Sequence, residues 1–470
     1  MEYSHNDSPN NLSLTKFESM LKTNDVLFFD SSEFENIIHH YLESGKIALA
    51  KKAIKLGLEQ HPTSVNLQLF KVEILVIENK FDSADDILEH LHILEPNNEE
   101  IYIQKANILS KQDEHEQAIG TLLTALDLTV NEEDSTDIYA LIGMEYLFLD
   151  QFENAIIYFQ KCLEVDLMDY SALHNIIYCF DFLDKNREAI DFLNHYLDKN
   201  PYCEVAWHQL GRQYFAIKEF KKAEAAFDFA IISDDTFIGA YLEKGKVLEK
   251  QGQYKEAIEQ YKITLALDDP TSFALLRIGH CYEKMGLDDL AVQFFDKTVA
   301  EDPLLDKGWI AITKFYSKKQ NYQKALYFIN KAIAIDSDNV LYWKLFAKIN
   351  LRLNFLEEAE HGYQRTLELG NYELDSWLCR GDILVQLGEY KAAIDNLTQA
   401  AEFYQDSAEI EFRLAGLYFK TSDSNKGRYH LKNAYKLDPE YDFIIIELFP
   451  GIETQPMVKE IIKKYQGGSI

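Results

Sequence analysis

The sequence predicts an all-α chain built from tandem helical hairpins. Three observations carry this prediction. Alanine recurs at a 34-residue period through most of the chain. Within each period, apolar residues keep the i, i+3, i+7 spacing of one helix face. Only 20 glycines and 9 prolines occur in 470 residues, few for a loop-rich or all-β protein.

The elements follow in order. Residues 1–30 form an N-terminal segment, in which Leu14, Phe17 and Leu21 are spaced for a short amphipathic capping helix, with residues 1–11 expected to be disordered. The array is expected over residues 31–441. Its reference alanine is Ala50, followed by Ala84 and Ala118. A three-residue insertion in "NEEDST" shifts the frame, and the series resumes at Ala155, Ala189, Ala223, Ala257, Ala291, Ala325, Ala359 and Ala393, with Gly427 last. This makes twelve units. In the stretch "WHQLGRQYFAIKEFKKAEAAFDFA", Trp207, Leu210 and Tyr214 share one helix face, Ala223, Phe227 and Ala230 share another, and a short polar break separates them.

Other positions keep the same register. Trp207, Trp309, Trp343 and Trp377 all fall at the fourth position of a unit. Gly143, Gly211, Gly245, Gly279 and Gly381 fall at the eighth, where two helices cross closely. The fifteenth position, where the first helix must close, holds Gly45, Gly252, Gly286 and Gly388, or Asn79, Asp113, Asp150, Asp184 and Asn354, all tolerant of left-handed backbone. Pro62, Pro96, Pro201, Pro303 and Pro439 are expected in the last turn of the second helix. Residues 442–470 make a C-terminal cap and tail. There Val458, Ile461, Ile462 and Tyr465 form one stripe, open to two readings: a cap on the last unit or a docking helix for another chain. Residues 466–470 are expected to be disordered.

The pattern W-x2-L-G-x2-Y…A-x3-F-x2-A…P at this period resembles the tetratricopeptide repeat. The resemblance covers about residues 31–441 and implies a right-handed α-solenoid, because such hairpins bury their apolar faces only when stacked. It also implies that positions 2, 5, 9, 12 and 13 of each unit face a concave surface on which partners bind.

Composition narrows the function. The formal net charge is −31, which opposes nucleic-acid binding over the surface as a whole. The five cysteines, Cys162, Cys179, Cys203, Cys281 and Cys379, contain no C-x-x-C pair and read as reduced, mostly buried residues. The polar start "MEYSHNDSPNN" lacks the features of a signal peptide, and no run of 18 apolar residues occurs, so a cytoplasmic location is expected. No phosphate loop, dinucleotide fingerprint, H-E-x-x-H or EF-hand pattern is present. His39 with His40, and His90 with His92, are badly spaced for one metal on a helix. The expectation is therefore no catalytic residues, no metal and no cofactor.

Two sets of groove positions stand out. Position 9 of units 6 to 10 holds Arg212, Lys246, His280, Lys314 and Lys348, and position 13 of units 7 to 10 holds Lys250, Lys284, Lys318 and Arg352. Lys307 and Lys344 add to that surface, while Glu249 and Glu283 lie beside it. This ladder reads either as an anion-binding groove or as a neutralised, solvated face. Units 4 and 5 instead offer Ala140, Met144, Leu147, Phe148, His174, Tyr178 and Phe182, followed by Phe215 in unit 6. That patch reads either as a contact site, or as packing between neighbouring first helices or a surface occluded by a terminus. No three successive units carry the Lys/Asn arrangement with which some tetratricopeptide proteins clamp chaperone C-termini.

The expected function is a non-enzymatic scaffold that binds an extended, acidic partner segment. The alternatives are a regulatory factor associated with nucleic acid, or a subunit of an enzyme or secretion complex.

Overall fold

The computed structural model describes residues 9–23, 27–267 and 272–466. Among these residues there are 27 α-helices and no strand. Helix α1 (Pro9–Thr23) precedes a series of hairpins. These are α2/α3 (Ser31–Glu43, Ile47–Gln60), α4/α5 (Val65–Ile77, Phe81–Leu94), α6/α7 (Glu99–Lys111, His115–Leu128), α8/α9 (Glu132–Phe148, Phe152–Val165), α10/α11 (Tyr170–Phe182, Asn186–Lys199) and α12/α13 (Glu204–Ala216, Phe220–Ser233). The series continues with α14/α15 (Ile238–Gln251, Tyr254–Ala266), α16/α17 (Ser272–Lys284, Asp288–Glu301), α18/α19 (Asp306–Lys318, Tyr322–Ile335), α20/α21 (Val340–Arg352, Leu356–Glu368), α22/α23 (Leu374–Leu387, Tyr390–Phe403) and α24/α25 (Ala408–Lys420, Ser424–Leu437). Helices α26 (Phe443–Leu448) and α27 (Pro456–Gln466) close the chain. The chain divides into two compact units, Met1–Phe237 and Ile238–Ile470.

Each hairpin is set by the residues that recur. The reference alanines from Ala50 to Ala393 are all fully buried. A larger side chain there would push the two helices apart, and overpacking of this kind typically costs about 1–3 kcal/mol. The aromatic ring four residues later fills the crossing: Phe159, Phe227, Tyr261 and Phe295 are essentially inaccessible. Their counterparts on the first helix are glycines. A Cβ on Gly245 would stand 2.5 Å from the Tyr261 ring, so only hydrogen fits.

The fifteenth position closes every first helix with left-handed backbone. All nine residues expected there have positive φ, from 55° at Asp184 to 81° at Gly388. Three more do so without the usual residue types: Lys218 at 64°, Gln320 at 59° and Ser422 at 67°. The turn is thus imposed by the hairpin and not by local preference.

The insertion in "NEEDST" lengthens α8 to 17 residues, where neighbouring first helices have 13. Two details differ from expectation. The prolines lie two residues beyond the helix ends, as Pro62 does after Gln60 and Pro303 after Glu301, because a proline cannot donate the next backbone hydrogen bond. Pro439 opens a short 3₁₀ turn. Residues 9–11 are helical, since α1 begins at Pro9, and Gln466 closes α27; residues 1–8 and 467–470 lie outside the described residues.

Indole hydrogen bonds tie three hairpins to the preceding loop. Trp207 Nε1 donates to the Pro201 carbonyl at 2.8 Å, Trp309 to Pro303 at 2.9 Å and Trp343 to Ser337 at 2.7 Å. Trp377 is buried instead, stacked with Tyr372 and Phe403.

Both ends are capped. Phe17 of α1 is fully buried against Phe29 and Phe34. At the other end, Val458 and Ile461 are buried in the terminal core, and Tyr465 stacks on Tyr435 at 5.3 Å. The α27 stripe thus packs within the chain.

Within each compact unit, neighbouring first helices touch: α2 with α4 and α4 with α6 in one, α16 with α18 and α22 with α24 in the other. Helices that approach most closely line the inner side of a stack, so the first helices lie on that side.

Candidate partner-binding surfaces

The apolar residues of α8 and α10 reach solvent. Met144 is 38% exposed, Phe148 58%, Tyr178 49% and Phe182 62%. A large part of each side chain is thus left open to solvent. Their rings are nevertheless ordered by neighbours. Phe148 stacks on His115 at 5.0 Å, and Phe182 stacks on the buried Phe152 at 4.2 Å. His115 is in turn held by Glu145 through a 2.8 Å contact at Nδ1. Ala140 and Leu147 are half-buried beside them, and His174 is exposed. Phe215 is half-buried and packs on Phe220. The result is a pre-set aromatic surface in the first compact unit.

The basic positions divide into paired and free cations. Arg212, in the first compact unit, donates to Gln209 at 3.0 Å. In the second unit, Lys246 is half-buried, bound to Glu243 at 2.6 Å and placed over the Phe273 ring. Lys318 pairs with Glu283 at 3.1 Å, and Lys348 lies 3.5 Å from Asp375. Lys344 is also taken, by Glu373 and Asp375. At positions 9 and 13 of the second unit's hairpins, Lys250, Lys284, Lys314 and Arg352, carried by α14, α16, α18 and α20, are exposed and have no carboxylate partner among the described residues, as is also true of Lys307 on α18. A cavity of about 490 Å³ lies beside this face, bounded by Ser317, Lys348, Arg352, Tyr363 and Cys379.

His280 is the weakest base of the ladder. Its pKa is held below the ordinary histidine value by burial first, then by the Arg277 guanidinium, against the opposing pull of Glu283. Its cationic form is therefore disfavoured relative to a free histidine. Glu249, expected to neutralise the ladder, is engaged elsewhere. It accepts from Arg277 Nε at 2.8 Å and from the Tyr261 hydroxyl at 2.6 Å.

All five cysteines are free, and four are buried. Burial pushes the Cys162 and Cys281 thiols up to about 12 and Cys179 to about 11, which leaves them poor nucleophiles. Among the described residues, no group of three or more His, Cys, Asp or Glu side chains is arranged to hold a metal, and no helix is long and apolar enough to cross a membrane.

Comparison with known proteins locates the repeats. Tetratricopeptide-repeat family profiles match residues 136–167 and 374–407, and residues 242–305. A 143-residue stretch is 28% identical to anaphase-promoting complex subunit 3 of Schizosaccharomyces pombe, covering 30% of this chain and 21% of that protein, so the match spans about a fifth of the relative's length. Among solved structures, MamA is 27% identical with a TM-score of 0.31, covering 34% of this chain and 95% of MamA. The hetero-tetramer Cut9–Hcn1 is 12% identical with a TM-score of 0.36, covering 96% and 92% of the two chains.

Proposed function

The chain is a tetratricopeptide-repeat protein, and from that premise we propose that it is a non-catalytic scaffold whose first helices bind extended segments of partner proteins. Two surfaces serve this role. In the second compact unit, the first helices of successive hairpins take an acidic segment. In the first unit, Met144, Phe148, Tyr178 and Phe182 take apolar side chains.

The observation that carries the reading is the set of free cations. Lys250, Lys284, Lys314 and Arg352 stand unpaired in a chain of net charge −31. A cation left unpaired among so many carboxylates is a local well for negative charge. Each exposed pair contributes only about 0–1 kcal/mol, so affinity comes from several contacts together. The partial similarity to a protein named as a subunit of the anaphase-promoting complex supports an assembly role.

The basic face is tested by fluorescence anisotropy with a labelled oligoglutamate peptide. Wild-type protein is expected to bind it in a salt-dependent manner and to ignore oligoglutamine. Lys284→Glu with Lys314→Glu is expected to abolish binding without changing the helical signal. Equal binding by that variant at low ionic strength would remove the basic face from the account. For the apolar face, Phe148→Asp with Tyr178→Asp should leave the fold intact, since both side chains are exposed. Unfolding of that variant would make them core residues.

A further inference from the structure

A second charged site lies at the opposite end of the sequence, and its sign is reversed. Between the first helices α2, α4 and α6 is a cavity of about 170 Å³. Its polar lining comes from Glu35, Asn66, Glu73, Glu100 and Gln104, and its apolar wall from Leu69 and Phe70. The three carboxylates are half-buried, and none has a lysine or arginine partner among the described residues.

Gln104 supplies an independent observation. It is only 8% exposed, and its Nε2 donates to Glu100 Oε1 at 2.8 Å. Its Oε1 is buried and has no hydrogen-bond partner. A buried acceptor left open costs about 1–3 kcal/mol unless something donates to it. The same holds for carboxylates gathered without a counter-charge. Burial, opposed only by His39, raises the Glu73 pKa; burial also raises that of Glu100, helped by Glu73, Glu99 and Asp137 and opposed by the Gln104 hydrogen bond. The empty charge balance and the open acceptor ask for the same thing, a cationic donor.

The shape decides which cation. No three of these side chains converge in a way that would hold a metal ion. The volume is several times the roughly 30 Å³ occupied by one water. The pocket joins spread carboxylates to a flat aromatic wall at Phe70. A guanidinium matches this set, with up to five donors in one plane and a face that stacks on a ring.

We propose that this cavity binds an arginine side chain of a partner segment. The proposal is separate from the basic face and can stand or fall without it. It would give the chain one surface for basic residues in its first hairpins and another for acidic residues in its second compact unit.

The test uses the full chain with methyl-labelled leucine, titrated with N-acetyl-arginine methylamide and followed by NMR. The expected result is a saturable shift of the Leu69 methyl signals. N-acetyl-citrulline methylamide, which has the same shape without the charge, should produce none, and N-acetyl-lysine methylamide should bind more weakly. Glu73→Gln with Glu100→Gln should weaken the arginine response by about tenfold or more, the loss of at least one strong ionic contact. Signals from leucines outside the first three hairpins should stay in place, showing that the variant is folded. Lys284→Glu with Lys314→Glu should leave the response unchanged, which separates this site from the basic face. Equal responses to arginine and citrulline, equal affinity for lysine, or an undiminished response in the Glu73/Glu100 variant would each overturn the assignment.

Discussion

The ring of Phe227 lies directly against Gly211, so that a Cβ built on the glycine would stand 2.5 Å from it. Helix propensity and packing therefore oppose each other at this position. Alanine is the better helix former by up to about 1 kcal/mol. The clash with a fully buried ring is larger. Gly211→Ala is expected to destabilise the chain by about 1–3 kcal/mol in denaturant unfolding. Gly120 is the control: it lies within α7, is exposed and has nothing within 4 Å of its would-be Cβ. Gly120→Ala should be neutral or stabilising. The same sign for both substitutions would contradict the close-crossing account.

The turn positions make a second pair of opposites. Lys218 and Gln320 hold left-handed backbone at φ of 64° and 59°. Left-handed backbone costs a non-glycine residue roughly 1–2 kcal/mol, partly offset by the entropy that glycine loses on folding. Lys218→Gly and Gln320→Gly are each expected to raise the melting temperature. Gly252→Ala, at φ +80°, should lower it. A fall in melting temperature for both glycine substitutions would show that these side chains matter more than their backbone.

The acidic cavity predicts a pH dependence. Burial first of all raises the Glu100 pKa above that of an unfolded chain. Its ionised form is therefore the costly one. The penalty is absent below the unfolded value, grows as pH rises, and is complete above the folded value. Glu100→Gln should then stabilise the chain at neutral pH and lose that advantage below about pH 4.5, the ordinary glutamate value. Urea unfolding across this range reads the difference directly. A stability gain that persists unchanged in acid would assign the effect to something other than charge.

Much of the fold was legible because it rests on small residues at a fixed period. Ala223 and its equivalents can be counted, and so can the residues that close each first helix. Lys218, Gln320 and Ser422 escaped because their residue types carry no left-handed preference; only the register marks them. The candidate surfaces were less legible, for a different reason. Position in the unit told which face Lys314 and Lys348 occupy. Whether each is free depends on a carboxylate from another helix: Asp375 of α22 lies against Lys348, and no carboxylate among the described residues pairs with Lys314. At His280, burial and Arg277 disfavour the charged form, which the residue's register does not reveal. The arginine pocket was missed because Glu35, Glu73 and Glu100 occupy three different registers, 5, 9 and 2, in three successive units. A search of one register at a time does not bring them together; the shared inner face does.

The most direct test of the central claim, that the first helices of the second compact unit receive an acidic segment, is to locate such a segment on the protein. An oligoglutamate peptide carrying a photoreactive benzophenone can be crosslinked to the full chain and the adducts mapped by mass spectrometry. The account predicts adducts concentrated on α14, α16, α18 and α20, near Lys250, Lys284, Lys314 and Arg352, and their loss at high salt. Adducts on the second helices α15, α17 and α19 instead, or none above those formed by an oligoglutamine peptide, would contradict it.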